Sequence, residues 1–176
     1  MPHSTLRILT VRRKAAAPTR GWLTGGPLAL PVALGRGGIK ANKREGDGAT
    51  PRGAFRPKRL WWRADRHPRP RTLLPVRRIG ADDGWCEDPS DRRYNRRIDV
   101  PKGSVADSLA RADALYDFII EIDHNTRPRV AGRGSAVFIH VARAGFAPTA
   151  GCIALTMPAL RRLIERIGPR TRLRIG

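Results

Sequence analysis

Apolar residues along this chain come in short bursts separated by Gly, Pro and Arg. Most bursts carry the two-residue period of a strand, not the helical period of about 3.6. Ser4–Val11 (STLRILTV), rich in Leu, Ile and Val, predicts a strand. Gly and Pro between Pro18 and Pro27 mark a turn. The PLALPVALGRGG run after it holds Pro31, which removes a ladder donor and predicts an edge or irregular strand. Ile39–Phe55 scatters Gly and Pro among charges, the pattern of a long ordered loop ending in a strand. Trp61–Asn95 is dense in Arg, Pro and Asp, which predicts irregular surface structure with short strands. Leu115–Ile122 and Ser135–Ala142 have the β-branched and aromatic content of core strands. In the second, Val137, Ile139 and Val141 share one face while Phe138 and His140 share the other.

Two stretches suit a helix. In Ser104–Leu115 the Asp, Ala and Leu positions fit helical spacing. Near the C-terminus, Thr156 is a fitting N-cap, Pro158 belongs in a first turn, and Leu160, Leu163, Ile164 and Ile167 recur at helical spacing until Gly168. RTRLRI then predicts a closing strand. The expectation is a mainly β chain forming one domain over residues 1–176, a β-sandwich or closed sheet with one or two short helices packed at its side.

The chain of 176 residues is 40% apolar and has no run long enough to cross a bilayer as a helix. Its first residues contain no continuous apolar stretch of a secretory signal. The net charge of +20 would attract any polyanion, acidic envelope polymers and nucleic acid alike. Arg is scattered along the chain without a basic tail or stripe, so a solvated, Arg-biased surface accounts for the charge equally well. Trp61 and Trp62, flanked by Arg59 and Arg63, are the one place where aromatics and charge interleave as in a single-strand stacking platform. That leaves little support for a nucleic-acid partner. Cys86 and Cys152 form no CxxC pair, and His124, His140 and Cys152 lack the spacing of a zinc site, so no metal is expected. Asp47 and Glu45 could be taken as a paired-carboxylate site, but their Gly-rich flanks fit a turn more simply. Cys86 reads as structural.

The informative segment is SAVFIHVARAGFAPTAGCIALT, Ser135–Thr156. A turn through Gly145–Pro148 returns the chain so that Cys152 can approach His140. An imidazolium beside a thiol would draw its pKa from about 8.5 toward neutrality and supply a thiolate nucleophile. Gly151 permits a sharp turn that would free the amides of Gly151 and Cys152 for an oxyanion. A buried packing cysteine and a structural strand histidine would leave the same trace in the sequence.

Two motifs add to this pair. Phe138-Ile139-His140 followed by Thr149-Ala150-Gly151-Cys152-Ile153, and upstream Gly46-Asp47-Gly48-Ala49-Thr50-Pro51-Arg52-Gly53-Ala54-Phe55, stand in one chain order. In both, and over roughly residues 28–175, the sequence resembles the L,D-transpeptidase catalytic domain family, also called YkuD-like. It departs where the family has His before Gly-Cys, here Ala150, and Arg two positions after the Cys, here Ala154. The loop between His140 and Cys152 is also short. The chain thus resembles a divergent branch.

The resemblance implies Cys152 as nucleophile and His140 as base, acting without cofactor on peptidoglycan stem peptides. The acyl group would pass through a thioester to an amine of another stem or of an envelope protein, or to water. The resemblance also implies a cell-envelope location. A backbone carbonyl is the expected orienter of His140, since Val141 has no polar side chain. Asn125, Thr149, Asp47 and Thr50 are the substrate-binding candidates, although Asn125 also reads as an ordinary turn residue. The alternative is a basic, non-catalytic polyanion or nucleic-acid binder in which Cys152 is packing.

Overall fold

The computed structural model describes residues 5–101 and 107–176. Its strands are β1 (Ile8–Lys14), β2 (Ala17–Gly25), β3 (Leu28–Ala33), β4 (Ile39–Lys40), β5 (Thr50–Pro51), β6 (Gly53–Phe55), β7 (Pro57–Trp62), β8 (Val76–Arg78), β9 (Asp83–Trp85), β10 (Arg97–Asp99), β11 (Asp107–Ser108), β12 (Phe118–Ile122), β13 (Phe138–Val141) and β14 (Ile153–Leu155). Helix α1 (Met157–Ile164) and β15 (Arg172–Ile175) complete the chain. Ten strands form one mixed sheet in the order β6-β15-β1-β2-β3-β14-β13-β12-β7-β8, and β10-β9-β11 form a second, smaller sheet. The chain is therefore mainly β, with a layered β architecture as expected.

Period-two alternation sorts the side chains of the large sheet into two cores. Leu9 and Val11, Leu23, Leu28 and Leu30, Val137, Ile139 and Val141, and Ile153 and Leu155 point into the first, which α1 covers with Leu160, Leu163 and Ile164. Thr156 caps α1, its side chain accepting from the Ala159 amide. On the opposite face, Phe138, Cys152, Trp61 and Ile119 pack with Trp85 and Leu109 of the smaller sheet's region. The second core covers only the β7-β12-β13 part of the large sheet and the Cys152 turn beside it.

Several expectations need correction. The first strand begins at Ile8 and runs on to Lys14; Ser4 lies outside the described residues. Pro31 is not on an edge, because β3 lies between β2 and β14. It is tolerated because the β3–β14 ladder touches only at Ala33 and Ala154, so no partner awaits its missing N–H.

The helix expected over Ser104–Leu115 does not form in its described part. Asp107–Ser108 pairs with β9 instead. The Ser108 hydroxyl then accepts from the Ala110 amide and the Asp113 carboxylate from the Leu115 amide. Short polar side chains thus take the local amides, and wholly buried Leu109 anchors the turn. Residues 102–106 of that stretch lie outside the described residues.

Trp61 and Trp62 make no exposed stacking platform. They are 2% and 5% exposed, and Trp61 donates to Glu121 at 3.0 Å. The Arg77 and Arg78 guanidinium groups lie over their rings from the neighbouring strand β8.

Candidate active site

Strands β13 and β14 run parallel with Ile139 opposite Ile153 and His140 opposite Ala154. Cys152 therefore falls beside Phe138, and its side chain shares the face that carries Phe138 and His140. The thiol and the imidazole line one cavity of about 290 Å³, along with Thr149, Ala150, Tyr116, Arg36 and Arg143. The sulfur is held from two sides: it donates to the Ala136 carbonyl at 3.1 Å and accepts from the Phe138 amide at 3.4 Å. Ala136 has φ of 50°, and its amide donates to Asn95 Oδ1, which also accepts from Trp85 Nε1. Asn95 thereby fixes the carbonyl that fixes the thiol.

His140 Nδ1 faces the Val141 carbonyl at 2.8 Å, so a backbone oxygen holds the ring, as the sequence implied. With Nδ1 protonated against that carbonyl, Nε2 is left as the basic nitrogen. Tyr116 packs edge-on to the ring at a centroid distance of 5.3 Å.

Electrostatics correct the expected imidazolium–thiolate pair. Burial lowers the His140 pKa to about 4, the Val141 hydrogen bond opposing it only in part. Burial likewise pushes the Cys152 thiol up to about 12. The resting pair is neutral imidazole and protonated thiol, because neither charge has enough solvent or counter-charge around it.

The cavity walls are charged. Arg36, Arg111 and Arg143 lie on them with Glu87 and Asp107. Loss of solvent, then the proximity of Asp107 and Glu45, raises Glu87 to about 7. Burial raises Asp107, with Arg111 pulling the other way. Tyr116 donates toward Asp107 at 3.5 Å. Neither the charged residues nor Tyr116 was singled out from the sequence. Tyr116 carried a signal, as an aromatic entering a core strand, but Glu87 and the arginines sit among too many similar residues.

The other sequence candidates divide. Thr149 lines the cavity, and its hydroxyl donates to the Cys152 carbonyl at 2.6 Å. The same oxygen accepts from the Gly151 amide at 3.1 Å, so that amide is engaged within the turn and does not face an oxyanion. Gly151 has φ of 137°, and a Cβ there would come within 2.8 Å of the Ala49 carbonyl. The Gly46–Phe55 segment therefore packs directly against the cysteine turn.

Asp47 and Thr50 work behind the cavity and do not line it. Thr50 is fully buried and accepts from the Gly35 amide. Asp47 accepts from the Arg44 and Ala49 amides and from Lys43 Nζ at 2.6 Å. Although partial burial opposes it, these donors, Lys43 foremost, hold the carboxyl down to about 2.

Asn125, with φ of 50°, ties its own loop through Val130 and Gly134 and lies off the cavity lining. His124 faces the Arg133 carbonyl, away from the Cys152 cavity. Glu45 accepts from Tyr94 and Ser135 hydroxyls. Both cysteines are free and buried.

Lys43 is only 6% exposed, which makes Asp47 a sensitive position. Asp47→Ala is expected to lower stability by about 3 kcal/mol at pH 7, because a buried ammonium loses its partner. A depressed carboxyl stabilises above its unfolded pKa and loses that contribution as pH falls toward about 2. The gap between variant and wild type should therefore close on acidification, as urea titrations across pH would record.

The fold and the cavity define a class: a β domain presenting one thiol and one carbonyl-oriented imidazole in a charged cleft. Residues 10–175 match the family model of the L,D-transpeptidase catalytic domain, YkuD, and the chain belongs to that family. No curated protein and no solved structure gave a match. Members of the family are L,D-transpeptidases, transferases that act on peptidoglycan stem peptides.

Proposed function

We propose that the protein is a cysteine-dependent L,D-transpeptidase whose acyl-enzyme forms on Cys152. The observation that carries the reading is the shared cavity of Cys152 and carbonyl-held His140, in a chain that belongs to this family. His140 Nε2 removes the thiol proton as sulfur attacks the stem-peptide carbonyl. The amide C–N bond breaks, and the proton passes from the imidazolium to the leaving D-alanine amine. The thioester then transfers its acyl group to an incoming amine, or to water in a trimming reaction. The imidazole takes the proton of that nucleophile and the thiol regains one.

Because the pair rests neutral, proton transfer and attack occur together and no preformed thiolate is needed. With the Gly151 amide engaged, the Cys152 amide is the backbone donor assigned to the oxyanion. Arg36, Arg111 and Arg143 suit the carboxylates of a stem peptide, and Glu87 with Asp107 suit an ammonium.

The test is intact mass after incubation with a carbapenem, which a family member with a competent thiol takes up covalently. One adduct that maps to Cys152 is the expected result. Failure of both the carbapenem and a tetrapeptide substrate to acylate the folded protein would remove the proposal.

A further inference from the structure

The second core leaves part of the large sheet open. On the β6-β15-β1-β2-β3 side, alternation buries Leu9, Val11, Leu23 and Leu173 on the inner face and turns the residues between them outward. The register places Arg12 beside Trp22, Thr10 beside Arg174 and Ile8 beside Arg172. Lys14 Nζ lies 5.3 Å from the Trp22 ring, and Arg20 follows on the same strand face. Trp22 is 41% exposed and Ile8 is 44% exposed, whereas the other three tryptophans are buried.

The charge on this face has one sign. No Asp or Glu precedes Glu45 or follows Glu165, so β1, β2, β3 and β15 contain none, and neither does β6. Arg12, Lys14, Arg20, Arg172 and Arg174 take part in none of the ion pairs among the described residues. An exposed indole and an isoleucine thus sit inside a group of uncompensated cations.

The face is also continuous with the cavity. His140 pairs with Ala154, Ala154 with Ala33 and Ala33 with Arg20, which puts all four on one side of the sheet. Arg20 donates to the Gly145 carbonyl at 2.7 Å, in the loop between His140 and Cys152.

We propose that this open face is a docking surface for an anionic phospholipid bilayer. Trp22 and Ile8 seat at headgroup level, and Arg12, Lys14, Arg172 and Arg174 lie against the lipid phosphates. Charge complementarity selects a polyanion, and the shape of the patch selects the bilayer. A nucleic acid would want several aromatics to stack on or side chains that enter a groove. Here a single indole stands on a broad sheet face with a lysine over it. Tryptophan's apolar body and polar N–H suit the membrane interface. Docking would hold the cavity at a fixed orientation above the lipid. The proposal is independent of the catalytic reading.

Sedimentation of the full chain with vesicles tests it. Binding is expected to mixed phosphatidylcholine and phosphatidylglycerol, with release at high salt, and not to phosphatidylcholine alone. Emission should shift to the blue on binding, reporting Trp22. At about fivefold per lost charge, Arg12→Gln with Arg174→Gln should weaken binding at least tenfold. Arg69→Gln with Arg71→Gln, an equal loss of charge at another exposed site, should weaken it by much less. Thermal melts confirm that both variants fold, and the wild-type emission shift stands as a second measurement. Equal weakening by the two pairs, an absent shift, or binding to a DNA duplex but not to vesicles would overturn the proposal.

Discussion

Cys152→Ala is expected to abolish covalent capture altogether: no carbapenem adduct by intact mass, and release of D-alanine from a tetrapeptide reduced at least about 10³-fold. The fold should survive. The substitution empties little volume but leaves the Ala136 carbonyl and the Phe138 amide without their sulfur partner, so stability should fall by about 1–2 kcal/mol. Thermal melts and mass spectra on the same sample separate the two effects. An adduct persisting in the variant, or mapping to Cys86, would sink the assignment of the nucleophile.

His140→Gln should give the second large effect, with a pH signature of its own. In the wild type the base is neutral above about pH 4 and the thiol protonated below about pH 12, so acylation should be nearly level between these values. Without the base, reaction waits for spontaneous thiolate. The rate should drop about 10²- to 10⁴-fold near neutrality and then climb about tenfold per pH unit. A variant whose profile overlays the wild type would leave His140 a packing residue.

Stability offers a parallel readout. A histidine with a folded pKa near 4 binds its proton more tightly when unfolded, so its burial stabilises above the unfolded pKa of about 6.5. That contribution is lost as pH falls from there toward 4, about 3 kcal/mol in all. The Gln variant should lack this slope in denaturant titrations. His124→Gln, away from the cavity, should leave the acylation profile unchanged.

What the sequence disclosed follows from the range of the forces involved. Alternation in Ser135–Ala142 placed Val137, Ile139 and Val141 on one face and His140 on the other, since that rule is local to a strand. The Cys152 turn and the α1 cap were equally legible, because Gly151 and Thr156 act on neighbouring residues. Protonation was not. An ion pair near neutrality was expected, and the burial that forbids it comes from Phe138, Trp85 and Tyr116, which tertiary packing gathers from three segments. Within its described part, the helix expected over Ser104–Leu115 failed for a related reason: pairing with β9 and side-chain capping overrode spacing. Asp47 and Thr50 lie in a motif segment and Asn125 follows a core strand, yet the polar atoms of all three hold loops together and do not line the cavity.

The burial of the Cys152 sulfur also bears on how the protein ages, for it outweighs the Phe138 amide, which by itself favours the thiolate. Peroxides attack thiolates, and a thiol whose ionisation is pushed up to about 12 exposes almost none at neutral pH. Cys86, buried on the smaller sheet's side, offers no exposed thiol for a disulfide. On the proposed reading, Cys152 resists sulfenic acid formation until a bound carbonyl lets sulfur release its proton to His140. A thiolate held ready would instead be open to peroxide at all times.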